Sequence, residues 1–155
     1  MVDASVSTAF VPSSDHASLS AAQSAAAQIV DEFLRLAMIP DPEAASRFVS
    51  PDLRITFTGG IRMRTPADCT AFNAKRYAWV KKAVERTEVV AGGSAEETVV
   101  YSLGTLYGAW PDGEPFEGNR YVDRFVIRDS LIVRHDVWND SGERLLRRAG
   151  LTPND

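Results

Sequence analysis

Apolar side chains recur along this chain with two different periods. Ala22, Ala26, Ile29, Phe33 and Leu36 fall three or four residues apart, the spacing of one helix face. Ser20 and Gln23 have capping-box spacing, so the helix is expected to begin near Ser18–Ser20, and Pro40 ends it. Asp41-Pro42-Glu43 starts a second, short helix reaching about Phe48. Leu53, Ile55 and Phe57 then alternate with Arg54, Thr56 and Thr58, the pattern of a half-buried strand, which Gly59-Gly60 breaks. Thr65-Pro66-Ala67-Asp68 repeats the helix-start signal. The third helix is expected to run to about Ala83, with Cys69, Phe72, Trp79, Val80 and Ala83 on its apolar stripe and Arg76 inside that stripe.

Beyond Ala83 the period changes to two. Strands are expected over 87–91, 97–109, 119–128 and 131–138, and a short helical tail over 143–148, closed by Gly150. Helix, helix, strand, helix and then four strands is not the alternation of a doubly wound parallel sheet. The order predicts an α+β class, a curved antiparallel or mixed sheet wrapped around a long helix and enclosing a pocket on its concave side. Residues 1–18, rich in Ser and Ala and without periodicity, read as a flexible arm. They show neither the basic start nor the continuous apolar run of a signal peptide. Residues 19–150 form the domain and 151–155 a tail.

Charge and composition narrow the chemistry. The 155 residues carry a net charge of −4, which argues against a nucleic-acid partner. No apolar run approaches the roughly 20 residues that span a bilayer, so no membrane partner and a cytoplasmic protein are expected. There is one cysteine, Cys69, and there are two histidines, His16 and His135. No internal disulfide can form, and with so few soft ligands no metal site is expected. Gly59-Gly60 and Gly92-Gly93 are isolated pairs rather than a phosphate-cradling loop, so no nucleotide cofactor is expected. Cys69 on an apolar stripe reads as core, and His16 as an exposed residue of the arm. His135 is left as the side chain suited to proton transfer near neutral pH.

Whether His135 has an acidic partner depends on the last hairpin. With a three-residue turn, Arg128-Asp129-Ser130, Asp123 stands opposite His135. Tyr121, Phe125, Ile127, Leu131, Val133 and Val137 then share their face, and Arg120, Arg124, Arg128, Arg134, Asp136 and Trp138 take the other. With a two-residue turn, Asp123 stands opposite Asp136, and Val133 and Val137 fall among the arginines. The separation of apolar from charged residues favours the three-residue turn. Ser130 stands against it, since such a turn favours glycine.

The segment from Arg120 to Asp140, RYVDRFVIRDSLIVRHDVWND, resembles the C-terminal hairpin of SnoaL-like polyketide cyclases, within the nuclear transport factor 2-like superfamily. Asp123 matches that family's polar residue on the fourth strand, Asp129-Ser130 the turn, and Ile132, His135 and Trp138 the Ile, His and Trp that follow. The resemblance covers about residues 19–150. It implies a cone-shaped α+β barrel with a central pocket and cofactor-free acid/base chemistry on a hydrophobic carbonyl- or hydroxyl-bearing small molecule, of isomerase, cyclase or hydratase type. The position of the family's catalytic acid falls on Val137, a departure that leaves a non-catalytic ligand binder or an assembly subunit of the same fold as alternatives. The expected catalytic pair is Asp123 and His135, and the expected ligand-binding residues are Phe57, Arg76, Trp79, Tyr107, Tyr121 and Val137. Arg76 either binds a ligand oxygen or snorkels to an edge. Tyr107 and Tyr121 either donate to a ligand or pack, and Phe57 and Trp79 form pocket wall or core. Trp138 and the arginines of the outer face suit a homodimer surface.

Overall fold

The computed structural model describes residues 19–153; the proposed arm at 1–18, with His16, and the last two residues of the tail lie outside the described residues. Helix α1 spans Ala21–Met38. Its capping box is formed as the spacing predicts, with the Ser20 hydroxyl accepting from the Gln23 N–H and the Gln23 side chain accepting from the Ser20 N–H. Helix α2 (Pro42–Ala45) is capped by Asp41 and runs into a short 3-10 turn over Ser46–Phe48. Helix α3 (Pro66–Arg76) is capped by Thr65 and Asp68, and helix α4 spans Ser141–Arg148.

Six strands, β1 (Val49–Phe57), β2 (Ile61–Met63), β3 (Trp79–Ala91), β4 (Glu97–Ala109), β5 (Pro115–Arg128) and β6 (Leu131–Asn139), form one sheet in the order β2-β1-β6-β5-β4-β3. Strands β1 and β6 are parallel and every other neighbouring pair is antiparallel. The sheet is open, with β2 and β3 at its edges. Val30, Phe33, Leu34 and Leu36 of α1 pack on Leu53, Ile55, Val100, Phe125, Ile132 and Val137 of the sheet. Burying side chains of this size at roughly 1.5–3 kcal/mol each is what holds α1 against the strands. A second apolar cluster joins Tyr77, Leu106, Trp110, Phe116 and Tyr121 near the other end of β4 and β5.

Two elements differ from the sequence reading. The third helix stops at Arg76, seven residues short of Ala83, and Trp79, Val80 and Ala83 belong to β3. Those three apolar residues fit a period of two as well as one of 3.6. Pairing with β4 settles the choice: Trp79 lies opposite Ala109, Val80 opposite Gly108 and Ala83 opposite Thr105. The strand expected at 87–91 is thus the end of a longer one.

The hairpin turn also differs. Arg128 pairs with Leu131, so the turn has two residues, Asp129 and Ser130, with φ of 51° and 61°. Both lie in the left-handed region that this short hairpin turn requires. A bulge then shifts the pairing by one: Ile127 lies opposite Ile132, while Val126 lies opposite Arg134. Val133 is the extra residue, half-buried, and Ile132 takes the core position expected of it. Beyond the bulge the residues regain the faces that a three-residue turn would give them, but not its register: Asp123 does not stand opposite His135, and Leu131, expected on the inner face, lies opposite Arg128. Asp123 therefore lies opposite Val137, and His135 opposite Phe125, all four on the inner face.

Candidate functional site

Asp123 and His135 come together under α1. His135 Nε2 lies 3.5 Å from Asp123 Oδ2, and both side chains are almost fully buried. The imidazole stacks on Phe125, its register partner, with ring centres 4.1 Å apart, and meets the Phe33 edge at 5.7 Å. Two aromatic rings thus fix its plane. Among the described residues neither ring nitrogen has a hydrogen-bond partner, and neither does Asp123 Oδ1, although all three atoms are buried. A buried polar atom without a partner is costly and calls for an explanation.

A third side chain completes the group. Lys82 Nζ donates to Asp123 Oδ2, with its side chain 9% exposed. Lys82 is on β3 and Asp123 on β5, so the side chain crosses β4 diagonally. The inner face of β4 is small there: Ser102 lies opposite Asp123 and Gly104 opposite Tyr121. At Gly104 the backbone of β3 comes so close that a Cβ would run into the Ala83 carbonyl oxygen. The Lys82 ammonium also rests over the Tyr121 ring, 3.7 Å from its centre.

Burial pushes the Asp123 carboxyl upward, but Lys82 and His135 outweigh it and hold the group below the usual carboxylate range. Burial pulls the Lys82 ammonium below the usual lysine range, with Asp123 only partly restoring it. The two side chains face each other as an ion pair within the interior. The Cys69 thiol, near the same space, is pushed up to about 12, mainly by burial and further by Asp68 and Asp123. It is a protonated wall residue rather than a nucleophile.

These groups open on a cavity of about 70 Å³ between α1, α3 and the sheet, whose walls include Phe33, Phe57, Cys69, Lys82, Asp123, His135 and Val137. Phe57 and Val137 are thus wall residues. Tyr121 does not line the cavity; its ring carries Lys82, and its hydroxyl shares a 3.0 Å hydrogen bond with Ser102. Arg76 also stands outside, its guanidinium over the Phe72 ring at 4.8 Å. Trp79 and Tyr107 meet edge to face at 6.0 Å, away from the cavity. Trp79, half-exposed, lines a neighbouring hollow of about 260 Å³ that shares Met38, Tyr77 and Val80 with the cavity wall.

Lys82 is the residue that the sequence reading misses. Val80, Lys82 and Val84 alternate with outward residues once the segment is read as a strand. The small residues of β4 then mark where a long side chain can cross.

No family model matches the chain, and no curated protein matches it by sequence. Solved structures do match in fold. A SnoaL-like polyketide cyclase, so described provisionally, from Jannaschia aligns over 88% of this chain and 98% of its own, with a TM-score of 0.64 and 18% identity. An NTF2-like protein of unknown function from Burkholderia pseudomallei aligns over 79% and 95%, with a TM-score of 0.62 and 20% identity. The CaMKII hub of S. rosetta aligns over 78% and 98%, with a TM-score of 0.61 and 19% identity. The chain has the NTF2-like α+β fold that its last hairpin suggests. Among the described residues no helix is long and apolar enough to cross a membrane.

Proposed function

We propose that the chain is an acid/base enzyme acting on a hydrophobic small molecule that carries a carbonyl or hydroxyl group. One observation carries this reading: a buried imidazole, neither nitrogen of which is hydrogen-bonded among the described residues, stands beside a lysine-held carboxylate on the wall of a mostly apolar cavity. His135 takes a proton from the carbon next to the substrate carbonyl. Asp123, 3.5 Å away, steadies the imidazolium that forms, and Lys82 stabilises negative charge developing on the substrate oxygen. The same imidazole returns the proton at another atom, which gives an isomerisation or an elimination. Val137, at the position of the acid in SnoaL-like cyclases, supplies only apolar wall, so His135 takes the proton-carrying role here. The cavity is below the roughly 300 Å³ of an ordinary ligand pocket. It admits the reacting end of a substrate, and the hollow beside Trp79 takes the rest.

Proton exchange tests this with simple ketones in place of the natural substrate. Cyclic and aromatic ketones are incubated in D2O with the protein, and loss of the α-proton signal is followed by NMR. Wild type is expected to accelerate exchange of at least one ketone, and His135→Ala to slow it by about 10²- to 10⁴-fold. A panel that binds without exchanging makes the cavity a binding site only.

The outer face supports a partner in the form of a second copy. Leu103, Val122 and Trp138 stand in one row across β4, β5 and β6, and Trp138 is 50% exposed. Pairing of two such rows in a homodimer covers the tryptophan.

A further inference from the structure

On the outer face, away from the cavity, the β2 end of the sheet holds a groove of about 370 Å³ lined by Arg54, Arg62, Arg64 and Arg134. The strand register sets these charges together. Arg54 lies directly opposite Arg134 across β1 and β6, and Arg62 lies opposite Thr56 across β1 and β2. Like charges placed opposite one another destabilise a sheet. The arrangement is against the balance of a chain with 21 acidic and 17 basic residues. Among the described residues no acid lines the groove.

Of the acids nearby in the sequence, Asp52 does not line the groove, and Asp136 and Asp68 are already engaged. Asp136 accepts from both Arg134 and Arg124, and Asp68 accepts from the backbone N–H groups of Arg64 and Thr65. Among the described residues, the guanidinium groups of Arg54, Arg62 and Arg64 have neither an ion pair nor a hydrogen bond. Three unneutralised cations in one concavity suit an anion.

We infer that this groove binds a phosphorylated small molecule, one carrying two linked phosphate groups. Guanidinium forks match phosphate oxygens two at a time, and three of them offset the charge of a diphosphate. The volume is that of a small-molecule site rather than a protein interface. Among the described residues no aromatic side chain lines it, so bases of a nucleic acid find no stacking platform there. The inference is independent of the cavity and of the acid/base reading.

Calorimetric titration of the full chain with inorganic pyrophosphate tests it. One equivalent is expected to bind, more weakly as salt rises, with affinity lowered about tenfold or more in Arg54→Ala and in Arg62→Ala. Both side chains are exposed, so the variants are expected to fold, which near-UV circular dichroism checks. Arg128→Ala, at the hairpin turn beside Glu97, is expected to bind as wild type does. Sedimentation with vesicles containing phosphatidic acid separates a soluble phosphate source from a lipid one, and no co-sedimentation is expected. Absence of pyrophosphate binding, equal binding by Arg54→Ala, or capture by vesicles but not by pyrophosphate would overturn the assignment.

Discussion

Asp123 and Asp136 lie on opposite faces of the same two strands, and each is nearly inaccessible to water. Their partners differ. Asp136, on the outer face, accepts from Arg134 at 2.8 and 3.1 Å and from Arg124 at 3.4 Å, so both oxygens are engaged. The guanidinium of Arg134 reaches water, with its side chain 57% exposed. Asp123, on the inner face, has one ammonium, itself buried, on one oxygen; its other oxygen has no partner. Two similar carboxylates one strand position apart are therefore unlike in kind. The outer one is saturated and ties strands together. The inner one is short of partners and stands beside an imidazole in the same condition, which is where a ligand can supply what is missing.

The largest effect that separates the two faces is expected from removing one cation. Lys82→Met leaves the Asp123 carboxyl buried without its ammonium partner, which costs about 3–5 kcal/mol in urea unfolding. Arg134→Ala leaves Asp136 with Arg124 and is expected to cost about 1 kcal/mol or less. Equal losses would erase the distinction. Next comes Gly104→Ala, which drives a methyl group into the β3 backbone where Lys82 crosses, and is expected to cost about 1–3 kcal/mol by the same measurement.

Acid sharpens the comparison further. The folded-state pKa of Asp123 lies below its unfolded value of about 3.9, so the unfolded chain binds the proton more readily. The stability due to this group is complete above that unfolded value and is lost as pH falls through the folded one. Urea midpoints measured from neutral pH downward are expected to fall less steeply in Asp123→Asn than in wild type. An unchanged acid limb would mean that the carboxylate is not held by its neighbours. The smallest effect is expected at the turn. Ser130 holds φ at 61° with a side chain, so Ser130→Gly relieves strain and raises stability by up to about 1 kcal/mol.

Much of this is legible in the sequence where one signal has a single reading. Ser20 with Gln23, and Thr65 with Asp68, are caps in the structure as in the pattern. The separation of Phe125 and Val137 from Arg124, Arg134 and Trp138 places Asp123 and His135 on one face. It does so through the wrong turn, because a one-residue bulge at Val133 leaves no mark in an apolar sequence. Residues 77–83 are not legible. Trp79, Val80 and Ala83 suit a helix stripe and a strand equally, and only pairing with β4 decides. Lys82 is lost with that segment, and Trp79 does not take the place on the cavity wall that a helix stripe would give it. Arg76 and Tyr107 are likewise off the wall, since cation–π and edge-to-face contacts on the surface satisfy them.

The claim on which the rest depends is that Asp123 is an ionised carboxylate held by Lys82 in the interior. Infrared difference spectra of wild type against Asp123→Asn at neutral pH read that charge directly. Carboxylate bands are expected in wild type, replaced by the carbonyl band of a protonated acid in Lys82→Met. A protonated-acid band in wild type at neutral pH would contradict it.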